Sequence, residues 1–305
     1  MFDILQYPFI QNALLAGTLV ALVAAIVGYF LLVRGLTFAG HALSHIGFAG
    51  AAGAVLLGID PVIGLLVFTI GAGIGIGALG KEIRERDIAI GIIMTLALSL
   101  GVLFLSLYSG YAEQAYSILF GTIVGISQTD LEVTIVFSII TIGIVLALFR
   151  PLLFSSFDPE VAEARGVPVR VLSILFLVLV AVTVSMSVQI VGVLLIFTLL
   201  VGPAATAVRI ARQPVWAILL AMLLGVAYTW LGIFFAANGT WPVSFYIAAL
   251  SFGVYLPVRL LSPLWLGNSG RNKRVSQTNM VSENNDGKQE LEKMQANGQV
   301  QGISR

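Results

Sequence analysis

Long apolar runs separated by short polar connections make up most of this chain. Nine of them are close to the length of about 20 mainly apolar residues that an α-helix needs to cross a bilayer. They are Phe9–Val33, Thr37–Leu57, Val62–Leu79, Ile88–Tyr108, Leu131–Phe149, Val171–Val188, Ile190–Val208, Val215–Ala237 and Pro242–Leu256. The pattern therefore predicts an all-α, polytopic membrane bundle with about nine transmembrane helices.

Two stretches make the helix count less definite. Two runs nearly meet around Gln189, so the pattern is compatible with eight to ten crossings. The sequence SILFGTIVGIS, Ser117–Ser127, is too short to cross alone and is typical of a half-helix or re-entrant segment.

Composition agrees with a lipid environment. Hydrophobic residues make up 58% of the 305 residues and charged residues 10%, and the mean hydropathy is +1.01. A soluble globule could not bury so much apolar surface. The net charge of +1 gives no overall basic surface for nucleic acid, and the absence of cysteine excludes thiolate metal sites and disulfides.

The basic residues orient the chain. With nine crossings all 16 of them fall on one side, which the positive-inside rule assigns to the cytoplasm. The N-terminus is then outside and the C-terminus cytoplasmic, while Asp3, Asp60 and Glu113 lie outside. The basic residues are Arg34, Lys81, Arg84, Arg86, Arg150, Arg165, Arg170, Arg209, Arg212, Arg259, Arg271, Lys273, Arg274, Lys288, Lys293 and Arg305.

Two regions differ in composition. Residues 1–266 form the predicted transmembrane domain, and residues 267–305 form a polar tail rich in Asn, Gln and Gly. Because the tail has no apolar periodicity, we expect it to be a disordered cytoplasmic extension.

A glycine-rich run, GAGIGIGALG, contains a GxGxxG match at Gly75, Gly77 and Gly80. A dinucleotide-binding loop needs a preceding strand, whereas this match ends an apolar span. Small residues at four-residue spacing instead favour close helix packing, through either Gly71 and Gly75 or Gly73 and Gly77.

The only two histidines, His41 and His45, are four residues apart in the second span, so they share one helix face. Counted from Thr37 at about 1.5 Å per residue, His45 lies about 12 Å into the membrane. An ionisable residue at that depth is a candidate functional residue, and imidazole binds zinc and other transition metals. Interhelical hydrogen bonding, through Ser44 or a backbone carbonyl, is an equal alternative.

Two imidazoles do not complete a metal site, so further ligands would come from another helix, water or a second copy. The sequence HALSH has Ala42 where a zinc protease of the HExxH type has its glutamate base. This absence favours ion passage over catalysis.

A polar interruption, FDPEVAEARGV at residues 157–167, lies on the cytoplasmic side. Asp158 and Pro159 are typical of a helix start and Gly166 of its end, so we predict a surface helix of about two turns. Its pattern alone is compatible with either a partner-docking helix or an ordinary connector.

Several of these stretches resemble one family. Gly40–His45 resembles the GDALSHA-like motif of the integral membrane subunits of manganese, zinc and iron ABC importers. Glu160, Ala162 and Gly166 resemble the coupling signature of permeases driven by a separate ATPase. The similarity covers residues 9–257 and includes LFGTIVGIS, Leu119–Ser127, and VGVLLIFTLLVGPAATA, Val191–Ala207.

The resemblance implies a subunit of a bacterial cytoplasmic membrane importer, paired with a second permease subunit in a homodimer or in a pair of similar subunits. It implies a cytoplasmic ABC ATPase, an extracytoplasmic metal-binding protein, and no permanently bound cofactor. His41 and His45 would be transient ligands of the transported zinc or manganese, and Asp158, Pro159, Glu160, Ala162 and Gly166 would couple to the ATPase.

One departure from the family pattern bears on the metal. The family has Asp where this chain has His41, and replacing a carboxylate by imidazole shifts the ligand set towards zinc. Two copies could present four imidazoles to one ion, a geometry that zinc accepts.

Two other functions fit the composition. The chain has no Walker A motif, so ATP hydrolysis would require a partner, and an ATP-independent carrier or channel would need no coupling helix. An intramembrane metalloenzyme is the third alternative, and the missing glutamate argues against it.

Overall fold

The computed structural model describes residues 8–78, 83–108, 119–121 and 125–261. All regular elements in these ranges are helices, which confirms the predicted all-α membrane bundle. They are α1 (Pro8–Val33), α2 (Thr37–Leu56), α3 (Pro61–Ala78), α4 (Ile83–Ser106), α5 (Gln128–Ala147), α6 (Phe149–Phe157), α7 (Pro159–Ala164), α8 (Val169–Val191), α9 (Val193–Ile210), α10 (Pro214–Asn238) and α11 (Val243–Leu261).

The chain divides into two compact units, Met1–Leu256 and Pro257–Arg305. The first contains α1 to α10 and most of α11, and the second begins with the last residues of α11. Several predicted features fall outside the described residues: Asp3, Gly80, Lys81, Glu113, part of Ser117–Ser127, and the tail 267–305. The proposed division into residues 1–266 and 267–305 stays a prediction.

Eight helices in the described ranges are long and apolar enough to cross a membrane: α1, α3, α4, α5, α8, α9, α10 and α11. The remaining predicted span, α2, is a continuous helix of 20 residues. It is less apolar because it contains both histidines and many small residues, and it packs against α3, α4, α8 and α9. The nine predicted crossings thus correspond to these eight helices together with α2.

Glycines allow α2 to lie very close to α3. A Cβ atom at Gly50 would overlap the carbonyl oxygen of Gly64, and a Cβ at Gly64 would overlap the carbonyl oxygen of Gly50. The two backbones therefore touch, as small residues permit in membrane bundles.

Helix α3 also packs against α8, through two of the four glycines that the sequence singled out. A Cβ at Gly73 would lie 3.0 Å from the Leu177 carbonyl oxygen, and one at Gly77 would lie 2.9 Å from Ile174 Cγ1. A Cβ at Gly71 or Gly75 would meet no atom of the described residues within 4 Å. Of the two pairs, Gly73 and Gly77 are thus the ones at a helix contact.

The boundary between α8 and α9 differs from the prediction. The chain stays helical through Gln189 and turns at Gly192, which has a φ of +82° and is the single residue between the two helices. A polar side chain such as Gln189 does not end a helix, whereas a positive φ does and strongly favours glycine. Gly121, with a φ of +74°, lies directly against this turn.

We expect Gly50→Ala to destabilise the protein by about 1–3 kcal/mol, because the new methyl group overlaps the backbone of α3. The unfolding temperature of the detergent-purified protein measures this effect. Gly71→Ala and Gly75→Ala are matched controls, since alanine at either position meets no neighbour among the described residues and favours a helix. Equal unfolding temperatures for all three variants would contradict the assigned α2–α3 contact.

The crossing of α2 can be tested directly because the chain contains no cysteine. Single cysteines can replace the exposed residues Gly35, Asp60 and Arg212. They should divide into two groups according to the side of the membrane from which they are labelled. If α2 crosses, an impermeant maleimide labels Asp60→Cys on intact cells, and labels Gly35→Cys and Arg212→Cys only after permeabilisation. Labelling of Gly35→Cys and Asp60→Cys from the same side would show that α2 does not cross.

Candidate functional site

The two histidines lie on the single partly exposed face of α2. Between Ala39 and Ala54, 13 of the 16 residues are buried, and the three half-buried ones are His41, His45 and Gly53. Steps of four and eight residues put these three on one side of the helix. The histidine face is therefore the side of α2 that the described part of this chain covers least.

The two imidazoles contact each other. Their ring centroids are 4.6 Å apart and their planes are nearly perpendicular, at 89°. This arrangement follows from the regular helix, because residues four apart lie one turn above each other on the same face. The pair thus offers two nitrogen-bearing rings in one place.

The imidazoles carry unused hydrogen-bonding capacity. The Nδ1 atoms of His41 and His45 are buried and have no hydrogen-bond partner among the described residues. Ser44, which the sequence suggested as a partner, instead donates to the Gly40 carbonyl oxygen within α2, at 3.2 Å. Leaving a buried polar atom unpaired costs about 1–3 kcal/mol, so these nitrogens are atypical of a purely structural histidine pair.

Phe197 of α9 is a neighbour of this pair that the sequence analysis missed. Its ring centroid lies 4.6 Å from that of His41, and the two planes are tilted by 60°. Phe197 lies in an ordinary apolar run, LLIFTLL, and nothing in that pattern distinguishes it from its neighbours. Only the packing of α9 against α2 reveals that it covers one side of the imidazole.

The described residues contain no group of three or more His, Cys, Asp or Glu side chains that could hold a metal ion. Two imidazoles fall short of the four ligands of a closed zinc site. Within this part of the chain the pair can therefore bind an ion only together with water, backbone oxygens or groups from another molecule.

The predicted cytoplasmic helix is present as α7. The Asp158 side chain accepts a hydrogen bond from the Val161 N–H at 3.0 Å, and Pro159 occupies the first turn. Gly166 follows the helix with a φ of +83°, which ends it as predicted. The helix has six residues, about 1.7 turns, so it is slightly shorter than predicted, and Arg165 is its C-cap residue.

Helix α7 packs on the bundle through Ala162. Ala162 is fully buried, at 0% exposure, whereas Glu160 and Val161 are exposed. Phe157, at the end of α6, is 64% exposed and Val161 is 41% exposed. The helix therefore presents a mixed apolar and acidic surface on the side that the basic residues assign to the cytoplasm.

Arg34 is a second feature that the sequence analysis missed. Its guanidinium donates to Ser155 Oγ of α6 at 2.9 Å and to Ser173 Oγ of α8 at 2.6 Å. It also lies 5.5 Å from the ring centroid of Phe176. Burial lowers the pKa of Arg34, but an arginine keeps its charge in a protein. In sequence it resembled an ordinary basic residue after an apolar span.

Comparison with known proteins identifies the type of molecule. Residues 6–262 match the model of the ABC 3 transport family. The manganese transport system membrane protein MntC of Listeria innocua is 35% identical over 235 residues, covering 76% of this chain and 83% of the relative. The manganese import system permease protein ScaB of Streptococcus parasanguinis is 36% identical over 230 residues, covering 75% and 82%.

A solved structure has the same fold. PsaBC from Streptococcus pneumoniae, in complex with Fab, superposes with a TM-score of 0.75 at 32% sequence identity. The match covers 83% of this chain and 91% of that chain.

Proposed function

The chain belongs to the ABC 3 transport family, and we propose from this membership that it is the permease subunit of an importer for a divalent transition-metal ion. The observation that carries the proposal is the face of α2 on which His41 and His45 lie, half-buried and with unpaired Nδ1 atoms in the described part of the chain. The family resemblance of GHALSH predicted the same role for these residues.

The family membership supports the expected partners. The chain is a multi-pass protein of the bacterial cytoplasmic membrane and a transport subunit rather than an enzyme. Its sequence has no Walker A motif, so a separate cytoplasmic ATPase supplies the energy. An extracytoplasmic metal-binding protein delivers the ion, and a second copy of the chain completes the pathway.

The two-histidine site suits transient binding. An ion that must be released cannot be held in a closed cage, because permeation requires binding that is weak enough to reverse. Two imidazoles from each of two copies would offer four ligands when the half-buried histidine faces of α2 meet. A conformational change that separates those faces would return the ion to two-ligand binding and release it.

Manganese is the cargo that we assign, because the related permeases MntC and ScaB carry manganese in their names. Zinc is a second candidate, favoured by the imidazole at position 41, since imidazole suits zinc better than it suits manganese. The comparisons support a metal importer but give no support to the zinc preference expected from the sequence.

We infer that α7 docks on the ATPase. Asp158, Pro159 and Gly166 define its two ends, and buried Ala162 holds it against the bundle. The exposed side chains of Glu160, Val161 and Phe157 are then available to a partner. A short, rigid helix that is anchored at one side can transmit force between a partner and the membrane helices.

The ligand assignment is tested by uptake of manganese and zinc into proteoliposomes that contain the complete transporter. We expect His45→Ala to lower uptake by about tenfold or more, because loss of even a residue that only orients a metal ligand costs about 10–100-fold. His41→Asp should raise the ratio of manganese to zinc uptake by about tenfold, because a carboxylate suits manganese better than imidazole does.

Ser44→Ala is the matched control, because Ser44 lies between the histidines and its hydroxyl bonds within α2. It should keep uptake of both metals within about twofold of the unsubstituted protein, a change that corresponds to less than about 0.5 kcal/mol. If both histidine variants matched the Ser44→Ala control in uptake and in metal preference, the histidine pair would be excluded as ligands.

The docking assignment is tested by Val161→Arg, which adds charge and bulk to the exposed side of α7. We expect copurification of the ATPase and metal uptake to fall by about tenfold or more, since a charge at the centre of an interface is costly. Binding of manganese to the permease should be retained. Gln213→Arg, at an exposed cytoplasmic site before α10, is the control. Full uptake by Val161→Arg would instead favour an ATP-independent carrier.

A further inference from the structure

The turn between α1 and α2 leads directly into the helix that carries the histidines. It consists of Arg34, Gly35 and Leu36, and α2 begins at Thr37, four residues before His41. Gly35 has a φ of +65° and Leu36 is buried, so the turn has a defined shape. The turn is therefore continuous with the helix that carries both imidazoles.

Arg34 connects this turn to both segments that flank α7. Ser155, its first acceptor, lies in α6, which runs into α7 through Asp158. Ser173, its second acceptor, lies in the first turns of α8, which follows α7 after Gly166. One side chain therefore bonds to the segment before the docking helix and to the segment after it.

The two acceptors are held in fixed positions. Ser155 Oγ donates to the Leu152 carbonyl oxygen at 3.2 Å, and Ser173 Oγ donates to the Val169 carbonyl oxygen at 2.9 Å. Because each hydroxyl hydrogen is used within its own helix, each oxygen presents lone pairs to the guanidinium. The planar guanidinium donates to two acceptors at once through two of its nitrogens. A lysine has a single ammonium nitrogen and lacks this forked geometry.

A second arginine holds the same turn from another helix. Arg86 of α4 donates through Nη2 to the Gly35 carbonyl oxygen at 3.3 Å. The turn is thus connected to α4 on one side and to α6 and α8 on the other. The contacts of Arg34 described above are with neutral hydroxyls and an aromatic ring, so they can rearrange without separating an ion pair.

We propose that Arg34 is a positioning residue that transmits movement of the docking helix α7 to the turn before α2, and so to His41 and His45. This inference rests on the proposed function, in which α7 binds the ATPase and α2 carries the metal ligands. Arg34 touches neither the metal nor the ATPase and acts through the segments that it joins.

The experiment uses the complete transporter in proteoliposomes and measures manganese uptake, ATP hydrolysis and equilibrium manganese binding on one preparation. Arg34→Met removes the donors, and the double variant Ser155→Ala with Ser173→Ala removes the acceptors while it keeps the charge. We expect uptake per ATP hydrolysed to fall by about tenfold in the first variant and about fivefold in the second, a range typical of couplings between sites.

Three further results are expected. Manganese binding and ATP hydrolysis should stay within about twofold of the unsubstituted complex, because neither site is altered and such a change is less than about 0.5 kcal/mol. Arg34→Lys should retain an intermediate uptake per ATP. Arg212→Met, which removes an exposed arginine from the same side of the membrane, should change none of the three quantities.

Two outcomes would overturn the inference. One is an unchanged ratio of uptake to ATP hydrolysis in both Arg34→Met and the double serine variant. The other is a parallel loss of uptake, ATP hydrolysis and assembled complex in both variants, which indicates a merely structural role. Failure of the proposed function is distinguishable, since the unsubstituted complex would then show no ATP-driven manganese uptake.

Discussion

Shielding of α2 from lipid by its neighbouring helices is the constraint on which the rest of this structure depends. A helix with two imidazoles and many small residues gains little from contact with lipid, and polar groups at membrane depth require a protein environment or a cavity. Helices α3, α4, α8 and α9 provide that environment. The glycine contact between Gly50 and Gly64 brings the backbones close enough for short side chains to pack.

This shielding is incomplete at the face of α2 that carries the two histidines, and it leaves ring nitrogens without hydrogen-bond partners in the described part of the chain. His41 and His45 are half-buried, their Nδ1 atoms have no partner in the described ranges, and Phe197 covers one side of the pair. A hydrogen-bonded histidine pair would be more stable, because an unpaired buried polar atom costs about 1–3 kcal/mol. The chain therefore retains an energetic cost at the two proposed metal ligands.

The side of the bundle that carries α7 connects this face to the proposed docking surface. Helix α7 is short, is capped by Asp158, buries Ala162, and contacts both α6 and α8. Arg34 bonds to both of those helices from the turn that begins α2. The proposed docking surface and the histidine face are thus linked through a few side chains and two rigid helices.

Sequence alone determined the membrane class, the approximate helix bounds, the cap of α7 and the shared face of His41 and His45. These features are local, because each membrane helix satisfies its own backbone hydrogen bonds and residues four apart always meet. Tertiary structure alone decided which glycines of α3 contact α8, namely Gly73 and Gly77 rather than Gly71 and Gly75. It also decided that the chain turns at Gly192 and that Phe197 covers His41. Only the folded chain shows that Arg34 joins α6 to α8. Each of these features depends on which distant segments meet. A membrane helix is nearly equally apolar on every face, so its sequence pattern does not specify which helix packs against which face.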